Sequence, residues 1–223
     1  MSRKRNIAID GPAGAGKSTV AKMVAEQLAY LYIDTGAMYR ALTYTALERS
    51  VDPADGEKLR ELLDQISIVL KPTSAGTLVY VNDVDVTEEI RSSGVTNTVS
   101  IVAGHEEVRL EMVKQQQKMA GNGGTVMDGR DIGTFVLPQA ELKVFLTASV
   151  EERAKRRHEE NIQKGFPSDF EKLKKEIARR DELDSNREFA PLQKAADAVV
   201  IDSTHMTIPE VVDNILHLVE ERF

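Results

Sequence analysis

A glycine-rich segment near the start of the chain constrains the fold more than any other feature. Residues 11–18 read Gly-Pro-Ala-Gly-Ala-Gly-Lys-Ser and match the pattern G-x-x-x-x-G-K-[S/T]. An apolar run at Asn6–Asp10 precedes the segment and predicts a buried strand, and residues 17–28 carry apolar side chains at helical spacing. A strand, a glycine-rich turn and a helix in this order are typical of a phosphate-binding loop. The alternative is a turn that binds nothing, and the flanking strand and helix disfavour it.

Each position of this loop suits a phosphate chain. Glycines let backbone N–H groups curl around an anion without a Cβ clash, and the helix that follows adds unpaired N–H groups and its positive dipole end. Lys17 would supply a cation for the β- and γ-phosphates, and the Ser18 hydroxyl is placed to ligate Mg²⁺. Because Lys17 follows the loop, we expect its side chain to face solvent before a ligand binds.

Strands alternate with helices along most of the chain, which predicts a parallel sheet covered on both faces. Five short apolar runs are interpreted as core strands: Asn6–Asp10, Leu31–Ile33, Thr125–Met127, Leu142–Leu146 and Ala198–Ile201. Helices are predicted at residues 17–28, 37–48 and about 208–220. The predicted fold class is therefore α/β, a doubly wound core of the P-loop NTPase type with about five parallel strands.

The stretch from about 66 to 120 interrupts the alternation. Three short runs predict antiparallel strands: Ile66–Leu70, Leu78–Val81 and Val84–Val86. Asn82–Asp83 is a hairpin turn signal, and a helix is predicted at Glu106–Ala120. We interpret the stretch as a lobe inserted in the core. Residues 153–164 are highly charged with hardly any apolar stripe, so we expect them to be solvated and mobile.

Composition narrows the function classes. A net charge of −7 argues against broad binding to nucleic acid or to an anionic membrane. The chain has no cysteine and hence no thiolate nucleophile or Cys-type zinc site. No apolar run approaches the roughly 20 residues that span a bilayer, so we expect a soluble cytoplasmic protein, and a monomer.

Among proteins with such a loop, a small-molecule kinase fits best. A GTPase should carry an Asn-Lys-x-Asp motif late in the chain, and the sequence has none. A kinase needs a second pocket whose basic residues hold the acceptor. The candidate arginines are Arg40, Arg109, Arg130, Arg180 and Arg187. Of these, Arg130 directly follows a core strand, at the end of the sheet where open α/β folds bind ligands.

Three carboxylates accompany these arginines. Asp128 ends the strand before Arg130 and is expected to associate with Mg²⁺, the alternative being a capping or turn residue. Asp131 follows Arg130, and could instead pair only with Arg130 or cap a helix. Arg180, Asp184 and Arg187 are spaced i, i+4 and i+7, so a helix would place all three on one face.

Three segments resemble bacterial cytidylate kinases: Gly11–Thr19, Asp34-Thr35-Gly36-Ala37-Met38-Tyr39-Arg40 and Asp128-Gly129-Arg130-Asp131-Ile132-Gly133-Thr134. Residues 179–187 are similar too, and the resemblance covers almost the whole chain. It implies transfer of the γ-phosphoryl group of ATP to CMP or dCMP with Mg²⁺, and small-molecule partners without nucleic acid or membrane. The implied parts are a core (1–35, 121–150 and 185–223), an inserted monophosphate-binding lobe (about 36–120) and a helical lid (about 151–168).

The family pattern also assigns roles to residues. ATP is held by Gly11, Pro12, Ala13, Gly14, Ala15, Gly16, Lys17, Ser18 and Thr19. Ser100, Arg109 and Asp131 face the cytosine, with Thr35 close by. Arg180 and Asp184 face the ribose, and Arg40, Arg130 and Arg187 hold the CMP phosphate. Apart from the resemblance, the loop motif and the strand end lead us to expect Ser18 and Asp128 as metal ligands, and the charge that phosphoryl transfer needs leads us to expect Lys17, Arg130 and Arg156 as transition-state stabilisers.

Two expectations go with these roles. Asp131 would accept from the cytosine N4 and Arg109 would donate to N3 or O2, provided that the inserted lobe folds over the strand end. The lid residues Arg153, Arg156 and Arg157 carry like charges on one helix face, which is unfavourable until an anion arrives. Two other functions stay open: a kinase of another pyrimidine monophosphate, and a regulator that binds ATP without turnover.

Overall fold

The structure, a computed structural model, describes residues 4–73, 76–121, 123–163 and 165–223, so Lys164 of the charged segment lies outside it. Its described strands are β1 (Asn6–Asp10), β2 (Leu31–Asp34), β3 (Ile68–Thr73), β4 (Gly76–Val81), β5 (Val84–Asp85), β6 (Thr125–Gly129), β7 (Leu142–Thr147) and β8 (Val199–Asp202). Its described helices are α1 (Lys17–Leu28), α2 (Thr35–Glu48), α3 (Gly56–Gln65), α4 (Ser93–Val102), α5 (Glu106–Ala120), α6 (Val150–Gln163), α7 (Phe170–Asn186) and α8 (Ile208–Arg222). A 3₁₀ turn at Glu89–Arg91 and a π-helical turn at Ile132–Val136 complete the regular structure of these ranges.

Five parallel strands form the core sheet, as predicted, and their order is β2-β6-β1-β7-β8. The central strand β1 is buried on both faces, which explains its nearly continuous apolar sequence. Ile7 and Ile9 pack towards α1 and α8, whereas Ala8 packs towards α5 and the π-helical turn. In the sheet, β1 lies between β6 on one side and β7 on the other, so the strand order reverses there. The carboxyl end of β1 is therefore a switch point, the place where doubly wound sheets bind ligands.

The inserted lobe has its own sheet and core. Strands β3, β4 and β5 are antiparallel, and their buried side chains pack with those of α2, α3 and α5. Asn82 and Asp83 join β4 to β5 with φ angles of 49° and 66°, and these left-handed conformations are those that a two-residue hairpin turn requires. The predicted hairpin is therefore confirmed.

Local capping sets two helix boundaries. The Asp34 carboxylate accepts a 2.8 Å hydrogen bond from the Ala37 N–H, so α2 begins at Thr35, two residues before the predicted start. Thr207 and Glu210 form a reciprocal capping box at the start of α8. These side chains satisfy N–H groups that the first helical turn leaves without partners.

Two predictions near the carboxyl end of the chain are wrong. Arg153 is not solvated: α6 packs against α7, and the Arg153 side chain is buried between them and the glycine-rich loop. Arg187 does not share a helix face with Arg180 and Asp184, because α7 ends at Asn186 and Arg187 has an extended backbone. Within the described ranges, no helix is both long and apolar enough to cross a bilayer.

Candidate active site

The glycine-rich loop leaves the carboxyl end of β1 through glycines that no other residue could replace without strain. Gly11 has a φ of 146°, and a Cβ there would lie 1.9 Å from the backbone oxygen of Leu146. Gly16 has a φ of 89° and precedes the first turn of α1. The chain thus passes close to β7 and turns sharply into the helix, whose N–H groups point back towards the loop.

Lys17 is buried in this loop, and the expectation that it faces solvent is wrong. Its side chain is only 5% exposed, and Nζ donates a 2.7 Å hydrogen bond to the backbone oxygen of Pro12. Burial and the nearby positive charge of Arg130 hold the pKa of Lys17 below its usual value. An ammonium has three donors, so Nζ keeps two of them for another acceptor.

Ser18 and Asp128 lie side by side, as the sequence suggests for metal ligands. Ser18 Oγ donates to Asp128 Oδ2 at 2.9 Å, and the Tyr32 hydroxyl donates to Asp128 Oδ1 at 2.8 Å. Thr35 Oγ1 donates to the backbone oxygen of Asp128 at 2.7 Å. Burial, and then the charge of Asp34, raise the pKa of Asp128 to about 6. A hydroxyl beside a carboxylate fits Mg²⁺, which takes oxygen ligands and is usually held by only one or two protein groups plus phosphates.

The inserted lobe does fold over the end of β6. Arg109, on α5 and only 1% exposed, forms a short ion pair with Oδ2 of Asp131 and donates to the backbone oxygen of Ala103 at 3.0 Å. Arg187 Nη2 lies 3.7 Å from Oδ1 of the same carboxylate. Asp131 makes no side-chain cap, and its carboxylate pairs with Arg109 and Arg187. The alternative of a plain helix cap is therefore wrong.

A second charge cluster lies beside the first. Arg130 Nε donates to Oδ2 of Asp184 at 2.9 Å, so a residue after β6 and a residue of α7 meet. Arg130 and Arg180 lower the pKa of Asp184 despite its burial, which alone would raise it. Burial and Arg130 lower the pKa of Arg180 to about 10. Arg40 pairs with Asp34 at 3.3 Å at the start of α2.

These arginines hold buried N–H groups that lack partners. Within the described part of the chain, the hydrogen-bond donors without an acceptor include Nε of Arg40, Arg109 and Arg180, and Nη2 of Arg187. Leaving such a donor buried and unpaired is unfavourable by about 1–3 kcal/mol. Four of them on residues that the sequence assigns to one pocket indicate a site shaped for an acceptor-rich anion. Ser100 is half-buried on α4, which contacts α7.

The predicted repulsion among lid arginines is absent, because each of the three has an acidic partner. Arg153 forms a two-pronged pair with Asp181 at 3.1 and 2.5 Å and donates to the backbone oxygen of Ala13 at 2.8 Å. Arg156 contacts Glu152 at 3.0 Å and the backbone oxygen of Ser203 at 2.6 Å. Arg157 contacts Glu160 at 3.4 Å. The partners of Arg156 and Arg157 lie four and three positions away and were visible in the sequence, whereas Asp181 is brought to Arg153 by the packing of α7 on α6.

Two site residues were missed. Tyr32 reaches Asp128 from the neighbouring strand β2, and Asp10 accepts from the N–H groups of Ile132 and Gly133, both at 2.7 Å. An aspartate that ends a buried strand directly before the glycine-rich loop is a signal that the sequence did offer.

Comparison with known proteins decides the family. The "Cytidylate kinase" family model matches residues 7–221. The chain belongs to the cytidylate kinase family. Cytidylate kinases of Geobacillus sp. (strain WCH70) and Bacillus subtilis (strain 168) are 64% and 61% identical to it over 222 residues, covering 100% of this chain and 99% of theirs. This membership confirms the prediction that the chain is a nucleoside monophosphate kinase, which phosphorylates CMP or dCMP with ATP.

A solved structure supports the fold alone. An uncharacterized protein from Eubacterium ventriosum ATCC 27560 is 15% identical, with a TM-score of 0.53 over 98% of this chain and 100% of that one.

Proposed function

We propose that this cytidylate kinase binds CMP or dCMP in the arginine-lined pocket around Asp131 and binds ATP on the glycine-rich loop, with Mg²⁺ on Ser18 and Asp128. The observation that carries the proposal is the set of buried guanidinium N–H groups without acceptors on Arg40, Arg109, Arg180 and Arg187, of which Arg109 and Arg187 also pair with the carboxylate of Asp131 after β6. Both anions would then meet over the carboxyl ends of β1 and β6.

The base and the ribose are assigned to different parts of the pocket. Asp131 would accept from the cytosine N4, and Arg109 would donate to N3 or O2, with Ser100 and Thr35 nearby. Since Arg109 and Asp131 form an ion pair, the base-reading groups would be held in place by each other. Arg180 and Asp184 would contact the ribose, and Arg40, Arg130 and Arg187 would hold the phosphate.

The chemical step needs placement and positive charge more than proton transfer. An oxygen of the CMP phosphate attacks the γ-phosphorus of ATP, the bond to the β,γ-bridging oxygen breaks, and ADP leaves. That attacking oxygen is already anionic at neutral pH, so no strong general base is required. Mg²⁺, when bound, neutralises charge on the phosphates.

Three cations are assigned to the transition state. Lys17 and Arg130 would neutralise charge on the transferring group, and the two free donors of Lys17 allow this while Nζ stays on Pro12. Arg156 is held by Glu152 and Ser203, so it would have to exchange these contacts for phosphate when the lid, about 151–168, closes. Closure would also exclude water.

A coupled assay of ADP release with CMP, dCMP, UMP and AMP tests the proposal. We expect turnover with CMP and dCMP, much less with UMP and AMP, and loss of turnover when EDTA removes magnesium. Preference for UMP would indicate a kinase of another pyrimidine monophosphate. Binding of ATP without turnover of any monophosphate would indicate a regulator.

A further inference from the structure

The buried carboxylate of Asp10 joins the two halves of the site. It ends β1, directly before the glycine-rich loop, and only 4% of the residue is exposed. Oδ1 accepts from the Ile132 N–H and Oδ2 from the Gly133 N–H, both at 2.7 Å. Each carboxylate oxygen thus holds one N–H group of a segment more than a hundred positions away in the chain.

These two N–H groups begin the π-helical turn Ile132–Val136. The first N–H groups of a helical turn have no partner within the turn, so Asp10 supplies the acceptors from another element. The backbone oxygen of Asp131 accepts from the N–H groups of Phe135 and Val136 at 2.8 and 3.1 Å, so Asp131 is the residue from which the turn starts. The position of the turn therefore fixes the backbone of Asp131.

Asp10 itself has little freedom to move. Its backbone lies between two neighbours in the sheet, opposite Gly129 of β6 and Phe145 of β7. The segment that follows β6 is thereby tied to the start of the glycine-rich loop through one side chain.

We propose that Asp10 is a positioning residue that holds the turn after β6 so that Asp131 points into the pocket. The inference rests on the proposed reading of the base by Asp131. A carboxyl side chain suits this place because its two oxygens can each accept from one of the N–H groups. Burial raises the pKa of Asp10 to about 7, and the two hydrogen bonds oppose that shift. Asparagine keeps the shape but offers one oxygen and turns an NH₂ group against the second N–H.

Calorimetric titration of CMP and ATP into Asp10→Asn is the test. We expect the Kd for CMP to rise about tenfold or more, as follows from the loss of a hydrogen bond to a charged group, with the Kd for ATP changing less than about twofold. The matched control is Asp55→Asn, which alters a surface carboxylate that likewise accepts from a backbone N–H, that of Lys58 at 3.0 Å, and that has no assigned role in the site. The control should keep both affinities.

Two outcomes separate positioning from mere stabilisation. Weaker CMP binding in the folded variant, with no further loss when Asp10→Asn is added to Asp131→Ala, would support action through Asp131. Unchanged CMP affinity with a lower melting temperature would overturn the inference, since a purely structural residue alters the folded fraction and not the affinity of folded molecules.

A second variant and a parallel titration keep the test decisive. If Asp10→Asn does not fold, Gly133→Ala replaces it. A Cβ there would lie 3.0 Å from the flexible Lys143 side chain and 3.3 Å from Asp10 Oδ2, so it presses on the same contact, and the expected CMP defect and the overturning result are unchanged. If Asp131→Ala alone keeps full CMP affinity, the proposed role of Asp131 fails and this inference with it. If CMP affinity falls in Asp131→Ala but not in Asp10→Asn, this inference is overturned and the proposed role of Asp131 stands.

Discussion

Tyr32 donates a 2.8 Å hydrogen bond to Oδ1 of Asp128, the carboxylate oxygen that Ser18 leaves free. Ser18 comes from the glycine-rich loop and Tyr32 from the neighbouring strand, so the two donors fix the carboxylate from both sides. Hydrogen bonds to the ionised form lower the pKa of a carboxyl group, and here they oppose the burial that raises it to about 6.

We expect Tyr32→Phe to move the acidic limb of the pH profile for kcat/KM of ATP to higher pH. Asp128 must be ionised to hold the metal, so activity is lost as pH falls through its pKa. Removing a donor to the ionised form raises that pKa further above its ordinary value. The control is Tyr30→Phe, which removes the hydroxyl of a tyrosine two positions earlier in the sequence. This variant should leave the acidic limb of the pH profile in place. Coincident profiles for both variants and the parent would show that Tyr32 does not act on Asp128.

Lys17→Met should reduce kcat by about 10²-fold or more, because one charge that faces the transferring phosphate is lost. The fold should persist: methionine has a similar length, and burying it avoids the desolvation of an ammonium. Steady-state kinetics with a thermal melt measures both effects. Lys22→Met on the same helix serves as the control. Near-full activity of Lys17→Met would contradict the assignment of the loop.

The two ends of α6 should respond differently to substrates. Arg153 is anchored on Asp181 and Ala13, so amides near it should be protected from hydrogen exchange without ligand. Residues 157–163 have more exposed partners and should gain protection only with ATP and CMP together. Exchange measured by mass spectrometry on both states tests this. Equal protection across 157–163 in the two states would argue against a closing lid.

Local patterns in the sequence predicted the elements well, and contacts between distant residues are what they missed. The bounds of β1, α1 and α5 follow from apolar spacing and flanking glycines, and the structure has them as predicted. The anchoring of Arg153 depends on a carbonyl group of the glycine-rich loop and an acid of α7, and the burial of Lys17 depends on the loop folding so that the backbone oxygen of Pro12 reaches Nζ. Only the packed fold brings such groups together.

The sequence predicted that Arg109 and Asp131 belong to one site, because the resemblance assigns both to the cytosine, but it did not predict the ion pair between them. Cytosine needs an acceptor and a donor, and the sequence offered one of each. The bond from Asp10 to the turn after β6 had no such signal beyond a carboxylate in a buried position.

The most direct test of the account is the ratio of kcat/KM for CMP to that for UMP, measured for the parent and for Asp131→Ala. Uracil replaces the N4 donor with an oxygen, so the parent's Asp131 would face a second acceptor with no proton to share at that position, which disfavours UMP by about 2–4 kcal/mol, or about 30- to 1,000-fold. The ratio does not depend on the folded fraction, so it is unaffected by any instability from leaving Arg109 unpaired. We predict that Asp131→Ala lowers the ratio by about 30-fold or more. An unchanged ratio would contradict the claim that Asp131 reads the base.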